Sequence, residues 1–291
     1  MDVKIYAFAD EASPALDGQI AAMKENGLDG LELRNADGVN VSELTARAAR
    51  EIRKRLDGEG LRVWSAGSPL GKTDITDADF GRQLDKLKHT LEIADILGAE
   101  CVRLFSFYIP TGEDPDKYRN EVIERLGSFT DSAKGSGITL CHENEKGIYG
   151  DTAERCLEIH RTLPEIRGVF DPANFVQCGQ DTLEAWGRLK SYIKYMHIKD
   201  ALADGSVVPA GKGKGNIRAI AKDFISGGGG VFTMEPHLTV FKGFETLERG
   251  EAAAKPENSG ASAAEKYVYK SGRAAFDAAC REFKNILLEV L

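Results

Sequence analysis

The chain has 291 residues, 42% of them hydrophobic and 29% charged, the balance of a globular protein with a large core. Its formal net charge of -8 works against attraction to phosphate backbones, so nucleic acid is not an expected partner. No apolar run is long enough to span a bilayer, which excludes a transmembrane helix. From the N-terminus onward, short β-rich apolar runs alternate with longer stretches of helical period. Strands are expected at residues 3–8, 30–33, 62–66, 101–105, 138–142, 168–170, 194–198 and 231–234. Amphipathic helices are expected between them, at 16–26, 41–57, 80–97 and 118–134, with a last helix at 274–291. Gly27, Gly60, Gly98 and Gly137 each close a helical stretch just before the next strand, the signature of a left-handed helix cap.

Eight such β-then-α units in one chain of this length predict a single (β/α)8 barrel spanning residues 1–291. A doubly wound open sheet is the competitor, but the turn after the first strand reads AFADEASPALD and carries no G-x-G-x-x-G. Residues 251–264 (EAAAKPENSGASAA) read as a mobile loop before the last helix. The five cysteines, Cys101, Cys141, Cys156, Cys178 and Cys280, are odd in number and scattered, with no C-x-x-C pair. They suit free thiols in a reducing compartment, and the N-terminus has no signal-peptide core, so a cytoplasmic location is expected.

In such a barrel, polar residues at the C-terminal ends of the strands carry the chemistry. Strand five ends in Glu143 and Glu145, strand six in Asp171 and Asn174, strand seven in His197, Lys199 and Asp200, and strand eight in Glu235 and His237. Glu143, Asp171, His197 and Glu235 are separated by 28, 26 and 38 residues, about one βα unit each, and so fall on successive strands. Three carboxylates and an imidazole suit a mixed O/N site for a divalent ion, Mn²⁺ first and Mg²⁺, Co²⁺ or Zn²⁺ also, the alternative being that the acids are polar strand ends in a salt-bridge network. The absence of thiolates from the set argues against a structural zinc cage.

Other residues are weaker candidates. Glu145 and Lys199 lie beyond strand ends, where Lys199 could neutralise an oxyanion or pair with Asp200 or Glu145. His142 precedes Glu143, so alternation turns it away from the ligand face and into packing. His237 could support Glu235; His89 and His160 lie in helical patterns and read as structural or exposed. Phe8 and Trp64 could wall the pocket or simply pack in the core. The run Gly211-Lys212-Gly213-Lys214-Gly215 follows strand seven, where barrels often bind phosphate, but a turn into a helix explains it equally well.

The order G-I-x-L-x-x-E, F-D-P-A-N, M-H-I-K-D, M-E-P resembles the sugar phosphate isomerase/epimerase superfamily, the xylose isomerase-like TIM barrels. The segment G-L-D-G-L-E-L-R extends the resemblance to the second strand, where Glu32 and Arg34 stand. The resemblance implies a single ion held by Glu143, Asp171, His197 and Glu235. It also implies that Glu143 and Glu235 act as the acid/base pair on either face of a sugar carbon. Glu32, Arg34, Glu145, Asn174 and Lys199 become candidate substrate contacts. The implied reaction is isomerisation or epimerisation of a sugar or sugar phosphate, by proton transfer next to a carbonyl through a metal-stabilised enediolate. Asn174 stands where such epimerases often have His, and Ile198-Lys199-Asp200 replaces their T-G-E. These departures keep a metal-dependent dehydratase of a cyclic polyol ketone, such as inosose or dehydroshikimate, as the rival reading. A non-catalytic sugar-binding protein would not need the four-ligand set, and a DNA-repair nuclease of the superfamily needs more histidines than the five here. The expected partner is therefore a small carbohydrate or cyclic polyol, with assembly into a homo-oligomer left open.

Overall fold

The computed structural model describes residues 3–239 and 267–291. The sequence expectation at 251–264 lies outside them. Eight parallel strands close on themselves: β1 (Lys4–Ala7), β2 (Gly30–Leu33), β3 (Arg62–Ala66), β4 (Cys101–Leu104), β5 (Thr139–Glu143), β6 (Arg167–Phe170), β7 (Ile193–Ile198) and β8 (Val231–Met234). β8 pairs with β1, Lys4 opposite Val231 and Ala7 opposite Met234, which completes a single (β/α)8 barrel. The helices are α1 (Leu16–Glu25), α2 (Ala46–Gly58), α3 (Phe80–Leu97), α4 (Arg119–Ala133), α5 (Ala153–Thr162), α6 (Pro172–Gln177), α7 (Thr182–Leu189), α8 (Ile217–Ser226) and α9 (Gly272–Val290). Short two-residue ribbons follow β2 and β7. No helix of the described residues is long and apolar enough to cross a membrane.

The strand expectations differ from the structure by a residue or so at their ends. The helix expected at 41–57 is divided: Val41–Glu43 is a 3-10 turn, Leu44 is extended, and Thr45 caps α2 by accepting a hydrogen bond from the Ala48 amide. Thr45 acts here as its residue type favours, so a local cap overrides the continuous apolar period. Gly27, Gly60, Gly98 and Gly137 all have positive φ; at Gly98 the amide closes α3 onto the Ala94 and Asp95 carbonyls.

The main core lies between barrel and helices. A run of aromatic edges crosses it from Phe170 to Trp186, Phe224, Phe232 and Phe283, with ring centroids 5.1–5.8 Å apart. Inside the barrel, the two-residue period of each strand creates layers. Tyr6, Cys101, Cys141, Val169 and Tyr195 form a buried apolar layer with Trp64. Two residues further along the same strands or just past their ends stand Phe8, Arg103, Glu143, Asp171 and His197. A bulge at Trp64, where Leu31 pairs with Val63 but Glu32 with Ser65, lets both Trp64 and Ser65 face inward. The barrel floor is thus apolar, and the charged layer sits on it at the C-terminal end.

Candidate metal centre

Each of the four expected donors is positioned by a local device. Glu143 is the last residue of β5 and Asp171 follows β6. Asn144 links these two strand ends: its side chain accepts from the Asp171 amide at 2.9 Å and donates to the Asp171 carbonyl at 3.0 Å. Asp171 caps α6, with Pro172 in the first turn, and its Oδ1 accepts the Asn174 amide at 2.9 Å. That leaves Oδ2 to face the barrel axis. His197 stands inside β7, two residues above Tyr195, and Glu235 follows β8.

The structure brings these four together. Nδ1 of His197 is 3.1 Å from Glu143 Oε1, 3.1 Å from Glu235 Oε2 and 3.9 Å from Asp171 Oδ2. One donor atom from each residue lies within 4.8 Å of the others, and none of the four is more than 3% exposed. Burial opposes a charged imidazole, but the carboxylates of Glu143, Glu32 and Glu235 outweigh it and hold His197 well above the usual histidine range. Burial likewise opposes ionisation of Glu235, and Lys199 and His197 overcome it, keeping that carboxyl well below its ordinary value. Burial pushes Asp171 up to about 7, against the pull of Lys199.

The set fits a divalent cation. Asp171 Oδ2 is buried and accepts no hydrogen bond of good geometry, although Lys199 Nζ lies 3.0 Å away. Hard oxygens with one imidazole suit Mn²⁺, Mg²⁺, Co²⁺ or Zn²⁺. The acids already gather positive charge onto His197 and Lys199, which is the attraction such an ion would satisfy.

The surrounding residues differ in part from what chain position suggested. Glu32 is wholly buried and committed: Oε2 lies 3.0 Å from His197 Nε2, and Oε1 accepts from Tyr195 at 2.8 Å and from Ser65 at 3.3 Å. It therefore contacts the histidine from behind instead of lining an opening. Arg34 lies over Phe8, donates to both oxygens of Asp10 at 2.9 Å, and approaches Glu11 and Glu235 at 3.4 Å. Asn174 donates to Glu143 Oε1 at 3.3 Å and to the Asn144 carbonyl at 2.9 Å. Glu145 pairs with Lys72 at 2.8 Å. Lys199 pairs with neither Asp200 nor Glu145; its ammonium lies 3.0 Å from Asp171 and 3.3 Å from Glu235. Phe8 does wall the centre, edge-on to His197 at 5.2 Å, whereas Trp64 packs in the layer beneath.

Three participants were not expected. Arg103 is buried on β4, donates to Glu143 Oε2 at 3.1 Å and to the Gly67 carbonyl at 3.1 Å, and lies over Phe8. An arginine inside the apolar run CVRLF was its signal. Asp10 and Glu11 follow β1, so the rule that picked out the other acids applied to them too. Burial pushes Glu11 up to about 8 despite the nearby Arg34. His237, with a positive φ of 46°, donates its amide to Glu11 at 2.8 Å and sets its ring 3.5 Å from both Glu11 and Glu235. His142 is packed away from the centre against Ser106 at 2.9 Å, while His89 reaches the Leu44 carbonyl and His160 the Ile166 carbonyl.

The glycine run after β7 wraps around Asp200. Its carboxylate accepts the amides of Gly211 and Gly213 at 2.9 Å and Gly215 at 2.8 Å, besides that of Ala201 at 2.9 Å. A Cβ at Gly213 would stand 2.3 Å from Asp200 Oδ1, so glycine is what permits this approach.

A model of the xylose isomerase-like TIM barrel family matches residues 20–256. An inosose dehydratase of Mesomycoplasma hyopneumoniae is 25% identical over 194 residues, covering 64% of this chain and 62% of that protein. The match thus spans less than two thirds of the relative's length. Among solved structures, the IolI protein with a bound zinc atom superimposes with a TM-score of 0.75 at 14% identity, over 100% of this chain and 99% of that one. An L-ribulose 3-epimerase gives a TM-score of 0.74 at 19% identity, over 100% and 96%. At these identities the structural likeness shows the fold alone.

Proposed function

The chain belongs to the xylose isomerase-like TIM barrel family, and from that premise we propose that it is a divalent-metal-dependent enzyme that moves a proton next to the carbonyl of a sugar or cyclic polyol ketone. The observation that carries this reading is the convergence of Glu143, Asp171, His197 and Glu235 in one desolvated cluster at the C-terminal end of the barrel. These four would hold the ion, with Mn²⁺ as the proposed metal. When bound, the ion would act as a Lewis acid on the substrate's carbonyl and neighbouring hydroxyl, stabilising the charge that develops as the adjacent C–H bond breaks.

The chain's own residues supply the proton transfers. Glu143 and Glu235 are both held ionised, Glu143 by His197 and Arg103 acting against burial, so each can accept a proton from carbon. They come from β5 and β8, which places one on either side of the axis. Arg103 fixes one oxygen of Glu143, and Lys199 and Arg34 each approach a different oxygen of Glu235. Glu32 orients His197 through Nε2, leaving Nδ1 toward the other three donors. We assign Glu32 this positioning role in place of a substrate contact. Asn174 restrains Glu143, and Glu145 with Lys72 remains for the substrate's far hydroxyls.

Isomerisation follows if the glutamate that took the proton returns it to the neighbouring carbon, and epimerisation if the other glutamate, after drawing a proton from solvent, delivers it to the opposite face while the first releases its own. The dehydratase reading shares the first step and is favoured by one observation, the similarity to an inosose dehydratase. In it, the electron pair left by the proton forms a C=C bond, and the β-hydroxyl leaves as water with the proton that the first glutamate took from carbon. A screen of ketoses and cyclic ketones with Mn²⁺ restored after chelation tests both readings. Deuterium from solvent in the recovered ketone or its isomer supports isomerase chemistry, and an unsaturated or deoxy product supports elimination. Failure of every substrate to exchange or eliminate removes the proposal.

A further inference from the structure

We propose that the substrate of this site is an uncharged polyhydroxy ketone, and that phosphorylated or carboxylated analogues are excluded; this rests on the proton-transfer reading above. Two structural features, independent of each other, support it.

The first is the pairing of every buried cation. Among the described residues, three Lys or Arg side chains are buried, Arg34, Arg103 and Lys199, against seven buried Asp and Glu. Arg34 is held by Asp10 and approaches Glu235, Arg103 is held by Glu143, and Lys199 lies between Asp171 and Glu235. Lys72, nearly buried beside them, is taken by Glu145. With Asp200 taken up by the glycine run, six of these acids face the three cations; a divalent ion, which takes the place of a proton on His197, leaves one negative charge in excess, and protonating any one acid still leaves no positive surplus. An anionic group entering this desolvated region would meet like charge with its potential counter-ions already engaged.

The second is the fate of the glycine run after β7. Successive backbone amides of such a loop form a nest suited to phosphate. Here the Gly211, Gly213 and Gly215 amides all converge on the Asp200 carboxylate at 2.8–2.9 Å. The chain supplies its own anion. A Cβ at Gly215 would meet Asp200 Oδ1 at 2.7 Å, as one at Gly213 would at 2.3 Å, so the loop is fitted to that side chain.

The test uses the full chain loaded with Mn²⁺ and pairs of compounds that differ by a charged group. D-Fructose and D-fructose 6-phosphate, and D-xylulose and D-xylulose 5-phosphate, are compared for incorporation of solvent deuterium at carbon. Sorbitol and sorbitol 6-phosphate are compared by calorimetric binding, which needs no turnover. The expected result is a preference of about 100-fold or more for the neutral member of each pair, the scale of an uncompensated like-charge contact. Equal or better exchange of the phosphates overturns this inference and leaves the proton-transfer reading standing. Binding of sorbitol alone, with no exchange in any ketose or cyclic ketone, does the reverse. Binding of sorbitol 6-phosphate alone, or of neither polyol, also overturns the inference.

Discussion

Replacing Glu32 by Gln separates the two roles this residue can have. In the structure the carboxylate is wholly buried, with Oε2 3.0 Å from His197 Nε2 and Oε1 2.8 Å from the Tyr195 hydroxyl. A glutamine can turn its carbonyl to the imidazole N–H, but its amide nitrogen then faces Tyr195 and cannot accept that hydroxyl's proton. The Tyr195 and Ser65 hydroxyls lose the acceptor they share and must turn, and the bond to His197 is no longer charge-assisted. Loss of such an outer partner of a metal-bound histidine costs about 10- to 100-fold in metal affinity, or about 1.4–2.7 kcal/mol. We expect about 10-fold for Glu32→Gln and the upper end for Glu32→Ala, which leaves the ring without a partner behind it. The assay is competition for Mn²⁺ between the folded apoprotein and a chromophoric chelator, with circular dichroism as the fold control. KM for substrate at saturating metal should change little. Unchanged metal affinity in both variants together with a raised KM would refute the positioning role, and would restore Glu32 as the substrate contact that the family resemblance implied.

Arg103→Met should lower the thermal midpoint markedly, because it leaves Glu143 buried without its guanidinium partner; breaking such a pair costs about 3–5 kcal/mol, and a calorimetric scan with less than a third of that loss would contradict the assignment. Glu143→Gln should cut the rate of solvent deuterium exchange by about 100-fold or more at saturating Mn²⁺, and a rate within a few fold of the parent would remove Glu143 as a proton carrier. His160 gives a pH prediction: burial lowers its folded pKa to about 4, below the unfolded value of about 6.5. The unfolded chain binds the proton first, so the contribution is intact above about pH 6.5 and is lost as pH falls toward 4, up to about 3 kcal/mol. Urea unfolding at pH 7 and pH 4.5 should show His160→Gln losing less stability than the parent on acidification; equal losses would show that another group drives it.

The sequence told most about features set by position along a single strand or helix. Strand alternation and helical period depend on neighbours in the chain, so the barrel, its eight strands and the inward face of β5 could be read directly; His142 packs away from Glu143 as its adjacent position requires. Strand ends named Glu143, Asp171, His197 and Glu235 because all four share one topological level. Distances across the barrel were not legible in this way. Lys199 was matched to its sequence neighbour Asp200 or to Glu145, yet the barrel closes it onto Asp171 and Glu235 from the flanking strands. Glu32 looked like any other polar strand end until the fold set it 3.0 Å behind His197. The glycine run could be read as phosphate loop or turn because its amides do not reveal their acceptor until Asp200 is placed among them. Arg103 shows a further gap, since a charge inside an apolar strand matters only when the layer it enters is polar.

The central claim is that Glu143, Asp171, His197 and Glu235 form the seat of a single divalent ion. The most direct measurement is metal content by mass spectrometry after the chelated protein is reloaded with Mn²⁺ and freed of unbound metal, for the parent chain and for His197→Ala with Asp171→Asn. The account predicts one ion per parent chain and a large loss from the folded double variant. A parent that retains no ion, or a double variant that retains as much as the parent, would contradict it.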